Sequence, residues 1–328
     1  MVTTKSATSA TWPKALVLRL RSSSLDAGLL ITLLAMAAFF TLQSPYFLNL
    51  KNFLNIGRAV AIRGTVAAGL TMVMISGGLD LSIASVMAAA GMLTATLLRV
   101  GSPEIPALFG GVALGAVLGY VNGLFVTKIH VNPIIATLAT MSGIRGLGYI
   151  FSAGESVTIP IGSLSYLGRG DLLGIPAPLF WFVLACGLVY FILQYTRLGH
   201  YAYAIGSNSD ACRVSSVRVD FWRMLLYIIC GTFAAFSGLM LMSMSGTATP
   251  TAAFGAELDI LTAIILGGIS LSGGSGTITG TVLGILILGT MTNGLILMGI
   301  RPYWQTVLRG VVLMIAVAVD SLRTGGYR

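Results

Sequence analysis

Few side chains in this sequence are equipped for chemistry, and those few stand beside long apolar runs. Asp80 lies in Gly77-Gly78-Leu79-Asp80-Leu81-Ser82, between two such runs. A carboxylate near a membrane is costly unless it is paired, wet or capping a helix. Either Asp80 or Ser82 caps a helix that begins here, or Asp80 meets a solute. Gly77 and Gly78 permit a sharp turn or a close helix approach. Asn132-Pro133 opens a later run, with asparagine as cap and proline in the first turn. Thr137 and Thr140 follow, three residues apart and so on one helix face. Their hydroxyls either line a wet path for a polyhydroxy solute or bond neighbouring helices, and Ser142 is a further polar residue of the run. Arg145 in the same run normally faces a cavity or a counter-ion, and Asp259 or Glu257 is a candidate partner. Glu257-Leu258-Asp259 places two acids where a helix dipole favours them. Gripping an extracellular partner is the functional alternative for that pair.

Enzymatic chemistry finds no support. No His, Cys, Asp and Glu cluster has metal-ligand spacing, so no metal is expected. The glycine-rich string Gly267 to Gly276 lacks the Gly-Lys-Ser/Thr ending of a phosphate-cradling loop and reads as a tight interhelical turn. His130 and His200 stand alone and read as structural. Cys186, Cys212 and Cys230 suggest neither a disulfide framework nor a metal site.

The elements that hold these residues are membrane spans. The chain is 56% hydrophobic and only 9% charged, where a soluble domain averages about 25% charged. Apolar runs near 20 residues recur along almost the whole sequence, each long enough to cross about 30 Å of hydrocarbon. They are continuous rather than alternating, which excludes a barrel. The expected fold is all-α and polytopic, with ten spans near 27–43, 59–76, 81–99, 106–127, 132–154, 177–196, 223–243, 258–272, 277–298 and 302–321. Lys5, Lys14, Arg19 and Arg21 precede the first span, which is read as a retained helix rather than a cleaved signal. The net charge of +9 reports loop topology, not nucleic-acid binding.

Between the sixth and seventh spans lies a polar island, residues 197–223, in which Arg197, Arg213, Arg218 and Arg223 outnumber Asp210 and Asp220. A basic loop of this kind belongs in the cytoplasm and has the character of a docking surface. With both ends cytoplasmic, eleven lysines and arginines fall inside and six outside. Lys51, Arg58 and Arg63 form an outer cluster that goes against this trend. The organisation expected is a cytoplasmic N-terminal segment 1–26, a transmembrane domain 27–321 and a cytoplasmic C-terminus 322–328. Val121-Asn122-Gly123-Leu124 and Thr292-Asn293-Gly294-Leu295 are each followed by an Arg-Gly pair, at Arg145 and Arg309. An offset of five spans makes spans two to five and seven to ten candidate inverted halves.

Taken together, these strings resemble the permease subunits of bacterial ABC importers for monosaccharides of the ribose, xylose, arabinose and galactose type. That superfamily also includes branched-chain amino-acid permeases. The resemblance covers residues 45–321 and rests on Gly77 to Ser82, Asn132-Pro133 through Met141, Arg145-Gly146, Thr196-Arg197-Leu198-Gly199, Ala204-Ile205-Gly206 with Asn208, Glu257-Leu258-Asp259, and Gly267 to Gly276. It implies a coupling helix within Ala204–Val219 that sits on a cytoplasmic ATPase, with Arg197, Gly199, Ala204, Ile205, Gly206, Asn208 and Arg213 in the coupling region. It implies a second permease subunit, a periplasmic sugar-binding protein and a place in the bacterial inner membrane. ATP and Mg²⁺ would belong to the partner ATPase, with no cofactor in this chain. Ser207, Cys212 and Ser215-Ser216 depart from the usual small residues of the coupling segment. A furanosyl signalling molecule or branched-chain amino acid is the alternative cargo. A stand-alone secondary transporter is the alternative class, although Asp80 is nearly its sole candidate coupling acid.

Overall fold

The computed structural model describes residues 14–160 and 162–324. Residues 1–13 of the expected N-terminal segment and residues 325–328 of the C-terminal one lie outside the described residues. The described chain is helical almost throughout. Its helices are α1 (Lys14–Gln43), α2 (Leu50–Ile75), α3 (Ile83–Arg99), α4 (Glu104–Thr127), α5 (Pro133–Ser152), α6 (Tyr166–Arg169), α7 (Ala177–Tyr195), α8 (Arg197–Ser207), α9 (Ser209–Val214), α10 (Val219–Ser245), α11 (Ala256–Leu266), α12 (Ile278–Leu297) and α13 (Pro302–Thr324). Local signals set several starts. The Asn49 side chain accepts from Lys51 N at α2, Asn132 from Ile134 N at α5, and Thr277 from Gly280 N at α12.

Helices occupy all ten expected stretches, but not as ten uniform spans. Seven are long and apolar enough to cross a membrane: α1 from Asp26, α2, α4, α7, α10, α12 and α13. The 17 residues of α3 fall just short. The 20 residues of α5 include Thr137, Thr140, Ser142 and Arg145, which lower its hydropathy. The expected span 258–272 is corrected most sharply. Helix α11 has 11 residues and stops at Leu266, so it rises only about 16 Å. The chain turns there because Gly268 adopts φ 85°, a conformation that favours glycine.

Helices α2, α3 and α10 form the centre, with Leu70, Met72, Met87 and Leu239 fully enclosed. The closest pair is α4 with α10. Gly111, Gly115, Gly119 and Gly123 recur every fourth residue along one face of α4. A Cβ at Gly115 would strike Ala235 and the Gly231 carbonyl, and one at Gly119 the Tyr227 carbonyl. Stripes of small residues let backbones approach where lipid offers no hydrophobic drive.

Packing in the two candidate halves corresponds. Helix α3 packs on α4 and α5, as α11 packs on α12 and α13. Helix α10 packs on α4, as α2 packs on α12, so each pair joins opposite halves. At one end of the bundle, β1 (Val157–Thr158) pairs antiparallel with β4 (Thr247–Ala248), tying the α5–α7 connection to the α10–α11 connection. A second ribbon, β2 (Asp171–Leu172) with β3 (Ile175–Pro176), leads into α7. The other end carries α8 and α9.

Candidate functional site

The α8–α9 end is built around a junction of three backbones. Thr196 starts α8, its side chain accepting from Gly199 N. Gly199 lies against the carbonyls of Ile192 and Leu193, which folds α8 tightly onto the end of α7. Gly206, near the far end of α8, abuts the Ile75 carbonyl and the Gly274 amide so closely that no Cβ fits. Gly274 N in turn donates to Ile75 O at 2.8 Å. The end of α8 is therefore wedged between the turn after α2 and the turn after α11. Gly77, at φ 76°, and Gly273, at φ 83°, complete the contact. Tyr203 pins the same region by donating to Gly276 O at 2.9 Å, and burial pushes its phenol pKa up, so it stays a donor.

Asn208 ends α8 and caps α9 by accepting from Ala211 N at 2.9 Å. Beneath α9 sits a small separate core of Ile205, Cys212 and Val219, with Tyr201, Val217 and Trp222 around it. Arg213 pairs with Asp220 at 2.6 Å. Arg197, Ala204 and Asn208 are exposed, and Val214 stands out at 88% exposure. Arg223 leaves this surface, donating inward to Ser76 O at 3.0 Å.

Asp80 is fully buried next to this junction. Its Oδ1 accepts from Ser82 N at 2.9 Å and from Ser82 Oγ at 2.6 Å. Asn122 of α4 donates Nδ2 to both carboxylate oxygens, at 3.2 and 3.3 Å, and to Ser82 Oγ at 2.7 Å. Thr140 of α5 donates to Asn122 Oδ1 at 2.6 Å. The carboxyl thus fastens a turn and links it to two helices. Ser82 is the N-cap residue of α3 but makes no side-chain capping bond, and Asp80 instead holds the Ser82 amide. Burial raises the Asp80 pKa, while its bonds to Ser82 and Asn122 oppose that rise. Gly78 admits the Tyr227 hydroxyl, which bridges both polar groups of the Leu79 backbone. Thr137, by contrast, spends its hydroxyl on Pro133 O at 2.7 Å within its own helix.

Arg145 does not meet Asp259 or Glu257. It donates to Pro250 O at 3.1 Å and lies 5.2 Å from the Phe254 ring centroid. A backbone carbonyl and an aromatic face satisfy the guanidinium without an acid. Asp259 serves two other arginines. Its Oδ2 meets Arg309 Nη1 at 2.5 Å and Arg63 Nη1 at 3.6 Å. The Lys51, Arg58 and Arg63 cluster is thereby partly accounted for, since Arg58 also pairs with Asp171 at 3.1 Å. Sequence reasoning passed over Asn122, Tyr203, Tyr227, Arg63 and Arg309 as site residues. The repeated Asn-Gly-Leu and Arg-Gly strings pointed to Asn122 and Arg309.

Comparison with known proteins places this architecture. A family model described as branched-chain amino acid transport system / permease component matches residues 52–317. The chain belongs to this permease family. It is 40% identical over 300 residues to the ribose import permease protein RbsC of Bacillus subtilis, covering 90% of this chain and 93% of that protein. It is 36% identical to RbsC of Escherichia coli K12, covering 89% and 92%. The L-arabinose transport system permease protein AraH of E. coli K12 is 37% identical, with 92% of each covered.

Proposed function

We propose that the chain is the membrane permease subunit of an ATP-driven importer that carries a monosaccharide or related polyol across the bacterial inner membrane. The observation that carries this reading is identity of 36–40% to ribose and arabinose permeases over nearly the full length of both partners. The exposed α8–α9 surface supports it, because a partner's movement there would reach the spans directly.

Two permease subunits enclose one path, and both termini and the α8–α9 end face the cytoplasm. A cytoplasmic ATPase, which holds ATP and Mg²⁺, docks on Val214, Ala204 and their neighbours. A periplasmic sugar-binding protein delivers the solute at the opposite end. When the ATPase closes, it displaces α8. The glycine junction has no side chain to absorb that displacement, so it passes into the turns after α2 and α11. Asp80, Asn122 and Thr140 extend the linkage from the first of these turns to α4 and α5. Glu257 and Asp259 are the candidates for contact with the binding protein. Asp259 is committed to its two arginines, and Glu257 has its Oε2 buried, so a docking contact would use the other oxygen of Glu257.

Reconstitution tests this reading. The permease, its ATPase and its binding protein in liposomes should accumulate D-ribose or L-arabinose only when ATP is supplied on the ATPase side. Uptake that continues without the ATPase, or absence of any pentose uptake, would overturn it.

A further inference from the structure

At the β1–β4 end, α2, α11, α12 and α13 surround an open groove of about 340 Å³. Asn55, Arg63, Asp259, Thr292, Asn293 and Arg309 line it among aliphatic side chains. Arg63 stands at the midpoint of α2, and Asp259 in the first turn of the short helix α11. The groove therefore reaches deep into the bundle. A helix that stops short of crossing the bilayer is tolerated where it borders a cavity.

The arginines keep part of their surface in this groove, with side-chain exposures of 37% for Arg63 and 25% for Arg309. Such groups do not face hydrocarbon, where each is costly. The open side therefore faces water, solute or the second permease subunit. Both arginines meet the same oxygen of Asp259, Oδ2, leaving Oδ1 outside those contacts. A second, independent feature is Asn293. Its Nδ2 donates to Asn52 Oδ1 at 2.9 Å, but its own Oδ1 is buried without a hydrogen-bond partner. A buried acceptor left unpaired costs stability unless something arrives to satisfy it.

We infer that this groove is a solute-contact site for a neutral polyhydroxylated molecule, with Asn293, Asp259 and Arg309 as its hydrogen-bonding side chains. Sugar hydroxyls both donate and accept, so one molecule can donate to Asp259, and to Asn293 Oδ1 once that buried amide oxygen turns toward the groove, while accepting from a guanidinium. The volume lies at the small end of the ~300–1,000 Å³ range of small-molecule sites, as a monosaccharide requires. The inference rests on the sugar-importer reading but goes beyond it, because it assigns recognition to the spans themselves.

Two measurements on the complete importer in liposomes test it. The first compares Asn293→Leu with the unsubstituted protein, reading D-ribose carried per ATP hydrolysed. The ratio is expected to fall roughly tenfold, with substantial recovery in Asn293→Gln. A ratio equal to that of the unsubstituted protein would sink the inference. The second uses Ala59→Cys on the groove wall, with the unsubstituted protein as background. A membrane-impermeant methanethiosulfonate should label it from the binding-protein side, and saturating D-ribose should slow the labelling. An unreactive cysteine, or a rate indifferent to the sugar, would count against the groove even where Asn293→Leu fails to assemble. If the unsubstituted importer carries neither D-ribose nor L-arabinose, the functional reading itself fails, and the inference falls with it.

Discussion

Gly206 of α8 and Ile75 at the end of α2 touch through their backbones, with the Ile75 carbonyl occupying the space a Gly206 side chain would need. A segment with the exposure of a docking surface is thereby fixed to the central helix of the bundle without an intervening side chain.

Gly206→Ala and Gly206→Val are accordingly expected to force the junction open. The added carbon meets the Ile75 carbonyl on one side and the Gly274 amide on the other, both of them backbone. Overpacking of this kind costs about 1–3 kcal/mol. Monosaccharide uptake by the complete importer in liposomes should fall by roughly an order of magnitude or more, since the link from α8 to α2 is displaced. Uptake at the unsubstituted rate in Gly206→Val would remove this junction from the transport cycle.

Asp80 makes the stability of the protein depend on pH in a defined direction. Burial holds its carboxyl above the ordinary value of 3.8, so the unfolded chain gives up this proton first as pH rises. The contribution is fully present below 3.8 and is lost as pH climbs toward the raised folded value. Asp80→Asn removes the titration. Thermal midpoints of the two proteins in detergent, measured across a pH series, should differ in slope above pH 4, with the unsubstituted protein the steeper. Parallel curves would show that the carboxyl is not held in this way.

The Asp259–Arg309 contact should reveal itself as a coupled pair. Removing one member of a buried pair strands the other charge at a cost of about 3–5 kcal/mol, and partial exposure of the arginines reduces this here. Asp259→Leu alone is expected to cost about 2 kcal/mol. The double variant Asp259→Leu with Arg309→Leu should lose less than the two single losses added together. Thermal unfolding of the four proteins supplies the cycle, and strict additivity would contradict the contact.

Arg145→Met should loosen the connection between α10 and α11. It frees the Pro250 carbonyl and the face of Phe254 while leaving the bundle core untouched. Amide hydrogen exchange at Thr247 and Ala248, which pair with Thr158 and Val157, is expected to speed by roughly tenfold. Unchanged exchange there would mean that the ribbon holds without the arginine.

The sequence made the helical framework legible because hydropathy is a local property, and each apolar run declares itself. It also exposed the polar island at 197–223 and the Gly77–Ser82 turn. What it concealed was pairing at long range. Asn122 stands 42 residues from Asp80, and no local signal ties the two. Charge alone matches Arg145 to an acid, yet carbonyls and aromatic rings also satisfy a guanidinium, and such partners leave no charge signature in the sequence. The break in α11 was written in Gly267-Gly268, but apolar residues on either side disguised it as a continuous span. The outer cluster of basic residues looked anomalous until Asp171 and Asp259, both far along the chain, came to lie beside Arg58 and Arg63.

The glycine stripe of α4 against α10 has a mechanical consequence. Those two helices come from opposite halves of the chain, and with backbones in contact at Gly115 and Gly119 they have little freedom to slide. They act as a keel. Any movement that carries a solute is expected to turn about that keel, and the lightly buried helices α5 and α13 lie outside the glycine stripe.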